Sequence, residues 1–386
     1  MSNFQTFGVK QEITFGAGSI AKAAEILVSK SCKKVCIVAD PGIVKTGVVK
    51  KLEDMIAAKG IDIITFSDIK PDPPVEKINL GIKLMLEHKS EALVAIGGGS
   101  AMDTAKGMAI VGGSGTRVAD YWGADVPVNH PVMPIIAIPT TAGTGSEVTR
   151  NAVITDEKDF KLVLRNDAIL PAYAILDPEL LATLPQSVAI DSSMDALIHA
   201  VEAYICDLST PFSDAMAEKA IELIGPSLRP FIARRSNIKA ASDMILGSAF
   251  AGIALSLALP GQAHALSHPL TGFYHLPHGF CNTMLFPYVM EFNALGDMGK
   301  YKRIYNLLCP ERAVDKGFHT DMLVEELKRL NRDFGFPANL AEAGVKLEDV
   351  PAMMEDCKKT KIFDHTPRET KDKDIIALYN KAIKGC

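Results

Sequence analysis

The chain has 386 residues, 48% hydrophobic and 23% charged, with a formal net charge of -5 and a pI near 6.0. That length exceeds what a single core serves and implies two domains; the composition excludes a disordered or fibrous chain. The lack of a basic excess, and of Lys/Arg clusters interleaved with aromatics, excludes nucleic acid as a partner.

The opening "MSNFQTFGVK" has neither the charged start nor the apolar run of a secretory signal. Next, short β-branched apolar runs alternate with helical periodicity: "KKVCIVAD" then "IVKTGVVKKLEDMIAAKG", "IDIITFSDI" then "VEKINLGIKLMLEHK", "EALVAIGGG" then "AMDTAKGMAIVG", and finally "MPIIAIPTT". Continuous apolar strands separated by amphipathic segments predict a parallel sheet covered by helices on both faces. After about residue 186 the strand signals stop, and windows such as "VAIDSSMDALIHAVEAYIC" and "DAMAEKAIELIGPSLRPFIA" are dominated by helix formers. The expected fold class is therefore α/β plus all-α, with an α/β domain over 1–186 and an all-helical domain over 187–386. The boundary falls near "LATLPQS", where Pro185 ends one element and Ser187 opens the next. The longest largely apolar stretch, "AFAGIALSLALPG", is too short to span a bilayer. Seven cysteines without a C-x-x-C pair read as reduced core residues rather than a disulfide framework. These features together predict a cytoplasmic protein with no membrane partner.

Two turns have the shape of nucleotide sites. "EALVAI" runs directly into Gly97, Gly98, Gly99 and Ser100 before a helix, so backbone can approach a ligand closely and the first helical amides face an anion. The run departs from G-x-G-x-x-G, because Met102 takes the last glycine position. "IIAIPTTAGTGSEVT" adds Thr140, Thr141, Thr144, Ser146 and Thr149, a row of hydroxyls suited to a pyrophosphate or ribose. Asp40 closes the first strand, where a carboxylate can accept from a ribose diol and repel a 2'-phosphate, favouring NAD over NADP. The simpler reading of each of these residues is turn and cap chemistry.

The helical half carries a cluster of histidines. Asp195 and His199 stand four apart on one helix face, as do His264 and His268, with His275 and His278 following. A carboxylate with imidazoles suits Fe(II) or Zn(II) better than Ca(II) or Mg(II). Spacing alone does not select which of these histidines would bind.

In that order along the chain, "GGGSAMDTAK", "PTTAGTGSEVT", "DALIHAVEAY", "HALSHPLTGFYHLPHG" and "TPRETKDKDI" resemble the motifs of the iron-containing (group III) alcohol dehydrogenases. The resemblance covers essentially the whole chain. It implies a dehydroquinate synthase-like architecture, with an N-terminal dinucleotide-binding domain, a C-terminal metal-binding and substrate domain, and a site in the cleft between them. It implies that Asp195, His199, His264 and His278 hold the metal, Fe(II) with Zn(II) as the alternative. His268 looks like the family's histidine beside the nicotinamide, and we take it, with His275 as an outsider, as the proton relay. Gly97, Gly98, Gly99 and Ser100 would bind the pyrophosphate of NAD, Thr140, Thr141, Thr144 and Lys161 would contact the dinucleotide, and Asp40 would meet the adenosine ribose. The implied activity interconverts a short-chain primary alcohol or diol and its aldehyde, and the implied assembly is a homodimer or larger.

Several residues depart from the family pattern: Leu255, Pro260 and Gln262 near the first histidine of the cluster, and "AIDSS" ahead of the aspartate. They fall in the wall expected to line the substrate pocket. Two rivals remain: a phosphopolyol or polyol enzyme of the related dehydroquinate synthase-like group, and a metal-dependent nucleotide-binding sensor without turnover. The first wants an Arg or Lys clamp that the metal-proximal motifs lack. The second predicts cofactor binding without any absorbance change at 340 nm.

Overall fold

A computed structural model of the chain describes residues 10–157, 161–360 and 362–385. Residues 1–9, on which the reading of the N-terminus rests, and Cys386 lie outside the described residues. The chain divides into two compact units: Met1–Leu184 with Arg235–Leu246, and Pro185–Arg234 with Gly247–Cys386.

The first unit contains strands β1 (Glu12–Phe15), β2 (Lys34–Ala39), β3 (Asp62–Phe66), β4 (Ala92–Gly97), β5 (Gly123–Ala124), β6 (Ile135–Pro139), β7 (Asn151–Thr155), β8 (Lys161–Arg165) and β9 (Tyr173–Leu176). Helices α1 (Lys22–Ser29), α2 (Pro41–Lys45), α3 (Val48–Ala57), α4 (Val75–His88) and α5 (Gly99–Val111) connect them. Six strands form one parallel sheet in the order β1-β9-β6-β4-β2-β3. The expected burial on both faces is realised residue by residue. Val35, Ile37, Ala39, Val94 and Ile96 enter one core with α1 and α3, whereas Cys36, Val38, Leu93 and Ala95 enter the other with α4 and α5. That division is the period-two alternation of strands that are apolar throughout from Val35 to Ala39 and from Ala92 to Ile96.

The order also fixes where a ligand can sit. From β2 the chain moves outward to β3, then crosses back to place β4 on the other side of β2, so the strand order reverses between β2 and β4. Ligands of open parallel sheets gather at the carboxyl ends of the strands flanking such a reversal. A second, three-stranded sheet, β5-β8-β7, pairs β7 and β8 antiparallel. The sequence gives little sign of it, because β5 is two residues long and the apolar runs of β7 and β8 are only three residues each.

The second unit contains no strand among its described residues. Its helices are α6 (Gln186–Ile205), α7 (Pro211–Ala233), α8 (Ile238–Leu257), whose first half belongs to the first unit, then α9 (Gln262–Tyr274), α10 (His278–Asn293), α11 (Met298–Leu308), α12 (Thr320–Asp333), α13 (Val350–Cys357) and α14 (Asp372–Lys384). The parallel-sheet unit followed by a helical one is the fold class expected. Helix α6 packs against α7 and α10, and α9 against α10 and α13. From Ser193 to Ile205 every residue of α6 is buried, so its polar residues there must find partners within the protein.

Residues 249–257 of the apolar stretch form the end of α8, whose 20 residues are long and apolar enough, by length and composition, to cross a membrane; residues 258–261 lie beyond the helix. In the structure, 56% of that helix's apolar window is buried within the protein. The described cysteines, Cys32, Cys36, Cys206, Cys281, Cys309 and Cys357, are buried and in no disulfide bond.

Candidate active site

The nucleotide-shaped turns emerge from neighbouring strands. Gly97 at the end of β4 pairs with Pro139 at the end of β6, and Thr140 N–H donates to the Gly97 carbonyl at 2.9 Å. Helix α5 begins at Gly99 with Gly98 as its N-cap and no side chain capping it, leaving its first amides available to an anion. Close approach explains the glycines. Gly97 has φ +151°, and a Cβ there would lie 2.6 Å from Asp40 Oδ2. A Cβ on Gly99 would lie 3.0 Å from Thr144 Cγ2, and one on Gly98 3.5 Å from Thr141. The two turns therefore lie side by side at the carboxyl ends of β4 and β6, with Asp40, at the end of β2, beside Gly97.

Asp40 does two things at once. Its Oδ1 accepts from Gly42 N and Ile43 N, both at 3.0 Å, capping α2, while Oδ2 faces Gly97. The other candidates divide. Thr140 is buried, Thr141 half-buried and Thr144 exposed. The Thr149 hydroxyl, in contrast, is held inside by Lys106 Nζ at 3.2 Å, and Lys161 pairs with Asp72 at 2.9 Å.

The sequence reading missed Lys106 and Asp103, whose spacing along α5 was the available signal. Fully buried, Lys106 donates to Ser146 Oγ at 2.8 Å and to the Asn151 carbonyl at 2.6 Å. Asp103 accepts from Ser146 Oγ at 2.8 Å and Val153 N at 3.0 Å. Together they anchor the 146–153 segment to α5. Burial pushes Lys106 down to about 8, raises Asp103 and raises the neighbouring Glu147 to about 7.

In the helical unit, Asp195 and His199 of α6 converge with His264 of α9. One ligand atom from each lies within 4.8 Å of the others, and all three residues are buried. The His199 and His264 rings stack with centroids 4.6 Å apart. His278, the first residue of α10, joins them: its ring centroid is 5.4 Å from that of His264, and its Nε2 is 3.9 Å from Asp195 Oδ1. His268 is exposed one turn beyond His264, with its ring 6.5 Å from that of His278. His275 ends α9 in a left-handed conformation with φ 54°, exposed and outside these ring contacts.

Supporting groups surround the cluster. Glu202, three residues after His199 on α6, contacts His264 Nδ1 at 2.5 Å. Asn282, four residues after His278, donates to Asp195 Oδ1 at 2.8 Å and lies 3.1 Å from His278 Nε2. Both stand at helical spacing from a named candidate, a signal the sequence reading passed over. The departures sort themselves as well. Gln262 is buried and hydrogen-bonded to Thr370 at 2.5 Å and to Asn293, so it joins the closing "TPRET" motif to the start of α9 rather than lining an open wall. Asp191, half-buried one turn before Asp195, is raised to about 6 by its burial and by the Asp195 charge.

The donor set fits a divalent cation. His264 Nε2 is buried with no hydrogen-bond partner and lies 3.5 Å from Asp195 Oδ1. A lone pair facing a carboxylate oxygen satisfies neither group, whereas a cation between them satisfies both. The electrostatics call for positive charge at this point, which a cation would supply in place of a second proton on His264. Although burial opposes charge on His264, Glu202 and Asp195 raise it to about 10. Asp195 is held below the usual carboxylate range by the imidazoles despite its own burial. Burial and the neighbouring histidines push His278 down to about 3.

A parallel sheet with an anion-ready glycine turn and a helical unit with a buried carboxylate–imidazole cluster are the parts expected of a two-unit dehydrogenase. Residues 10–178 match the iron-containing alcohol dehydrogenase family, and residues 189–383 match the C-terminal domain of the Fe-containing alcohol dehydrogenases. The chain is 35% identical to alcohol dehydrogenase 4 of Saccharomyces cerevisiae (strain YJM789) over the full length of both. It is 34% identical to the NAD-dependent methanol dehydrogenase of Bacillus methanolicus, covering 98% of this chain and 99% of that one. The crystal structure of a 1,3-propanediol oxidoreductase superposes with a TM-score of 0.92 at 33% identity, over 96% of this chain and 98% of the other. The chain belongs to the iron-containing alcohol dehydrogenase family, and it is an oxidoreductase of the alcohol dehydrogenase type.

Proposed function

We propose that the protein interconverts a short-chain primary alcohol or diol and its aldehyde, with NAD as hydride carrier and one divalent cation held by Asp195, His199, His264 and His278. One observation carries the reading: the buried, partnerless His264 Nε2 facing Asp195 Oδ1. Fe(II) is the expected ion and Zn(II) the alternative, since both accept this carboxylate and imidazole set. When bound, such an ion supplies a Lewis acid that stabilises negative charge on a substrate oxygen.

The protein's own groups do the remainder. Gly97, Gly98, Gly99 and Ser100 present backbone amides to the pyrophosphate. Thr140, Thr141 and Thr144 offer hydroxyls beside it, and Thr149 acts through Lys106 to hold the turn. Lys161, released from Asp72, would meet the dinucleotide. Asp40 accepts from the ribose diol and disfavours a 2'-phosphate. Exposed beside His278, His268 is in position to pass the substrate hydroxyl proton to solvent. We also propose the boundary at residues 186 and 187 between the NAD-binding and metal-binding domains, and a homodimeric or larger assembly, which light scattering would measure.

The test is anaerobic purification with elemental analysis, followed by absorbance at 340 nm with short primary alcohols and diols and either NAD or NADP. One equivalent of metal and NAD-dependent turnover are expected. A metal-free chain with full activity would overturn the proposal, and cofactor binding without turnover on the whole panel would leave a sensor in its place.

A further inference from the structure

Resting on the metal-site reading above, we infer that Glu202 is a positioning residue that selects the tautomer of His264 and sets the first turn of α9. Its carboxylate, 1% exposed, gathers three donors from one short segment. Gly261 N donates to Oε2 at 2.7 Å, Ala263 N donates to Oε1 at 2.6 Å, and His264 Nδ1 lies 2.5 Å from Oε2. Helix α9 has Gly261 as its N-cap and no side-chain cap of its own. A carboxylate from α6 therefore does for α9 what an N-cap residue normally does, satisfying orphan amides and complementing the positive end of the helix dipole.

The same carboxylate decides the chemistry of the ring. A carboxylate facing three N–H groups accepts from them, so the proton sits on Nδ1 and Nε2, the atom facing Asp195, is the ring nitrogen whose lone pair a cation can take. A metal-ligating histidine needs this second partner to fix its tautomer and orientation. Gly261 belongs to the device: a Cβ there would come within 2.8 Å of the Glu202 carboxylate. Because Glu202 follows His199 by three residues and Asp195 by seven on α6, one helix supplies two ligands and also orients the third.

The variant E202Q keeps size and shape but replaces one acceptor oxygen with an amide donor. In either orientation that donor meets an N–H group, Ala263 in one and Gly261 with His264 in the other, and the negative charge that holds the Nδ1 proton is gone. Titration with Co(II) against a competing chelator would read the result. Wild type is expected to bind one equivalent. E202Q should bind Co(II) about 10- to 100-fold more weakly with an altered Co(II) absorption spectrum, while NADH affinity and far-UV circular dichroism stay unchanged. E202D retains the acceptor on a shorter arm and should recover part of the affinity. Wild-type Co(II) affinity and spectrum in E202Q, beside a wild type that binds, overturn this inference alone. If wild type binds no Co(II), the metal-site reading falls and the inference with it. If E202Q does not fold, E202D decides: reduced affinity supports the assignment and wild-type affinity overturns it.

Discussion

The sheet unit and the helical unit prepare for charge in opposite ways. At the carboxyl edge of the sheet, the anion-facing surface is mostly backbone: the uncapped start of α5 and glycines close enough to touch Asp40 and Thr144. In the helical unit the charge sits on side chains buried on three helices, each holding the next in place. A row of amides shares its task, so losing one contact has a graded effect. A buried ionic cluster does not share, because removing one partner leaves another charge or lone pair desolvated and unpaired.

The largest effect should come from breaking the helical cluster. His264→Ala is expected to abolish metal content and to lower kcat/KM by at least about a thousandfold, a loss of about 4 kcal/mol in transition-state stabilisation. NADH affinity, measured by fluorescence titration, should change less than about twofold if the two units act separately at this level. A mutant that loses its metal yet turns over normally would break the comparison.

Gly97→Ala attacks the other side. The φ of +151° and a Cβ 2.6 Å from Asp40 Oδ2 predict destabilisation of about 3 kcal/mol in urea unfolding and weaker NADH binding, with the metal retained. Unchanged NADH affinity would remove the glycine turn from the cofactor site.

Glu147→Gln sharpens the distinction between scaffold and site within the sheet unit. Burial raises the Glu147 carboxyl from 4.5 to about 7. The folded protein then holds a proton that the unfolded chain has lost between those pH values, so stability falls as pH rises through that window. The variant should flatten this slope and be more stable than wild type at pH 8 by about 2 kcal/mol, with unchanged NADH affinity. Parallel pH–stability curves for the two proteins would refute the assignment.

The smallest effect is expected from Asp40→Asn, which keeps an acceptor oxygen for the cap of α2 but removes the negative charge beside Gly97. The ratio of kcat/KM with NADP to that with NAD should rise about tenfold, equivalent to about 1.4 kcal/mol. An unchanged ratio would assign Asp40 to the cap alone.

How much of this was legible depends on the distance between partners along the chain. The strands around β2, β4 and β6 could be read because burial on both faces demands continuous apolar runs, and Asp195 with His199 because they stand one helical turn apart. The β7–β8 pair is hard to read because its half-exposed strands carry apolar runs of only three residues. The role of Thr149 could not be read either: its hydroxyl is engaged by Lys106, 43 residues earlier. Gln262 looked like a change in the substrate wall until its contacts with Asn293 and Thr370 made it an internal bridge.

By itself, the sequence determined the sheet-then-helices order, the glycine and threonine turns, and the helix-spaced carboxylate and imidazoles, since all of these follow from local periodicity and from residue chemistry within a few positions. The convergence of Asp195, His199, His264 and His278 from α6, α9 and α10, and the reach of Glu202 to Gly261, Ala263 and His264 some 60 residues away, emerge only when the helices pack. Such partners meet through the packing of helix faces, and packing depends on which surfaces fit one another, a relation that no short window of sequence contains.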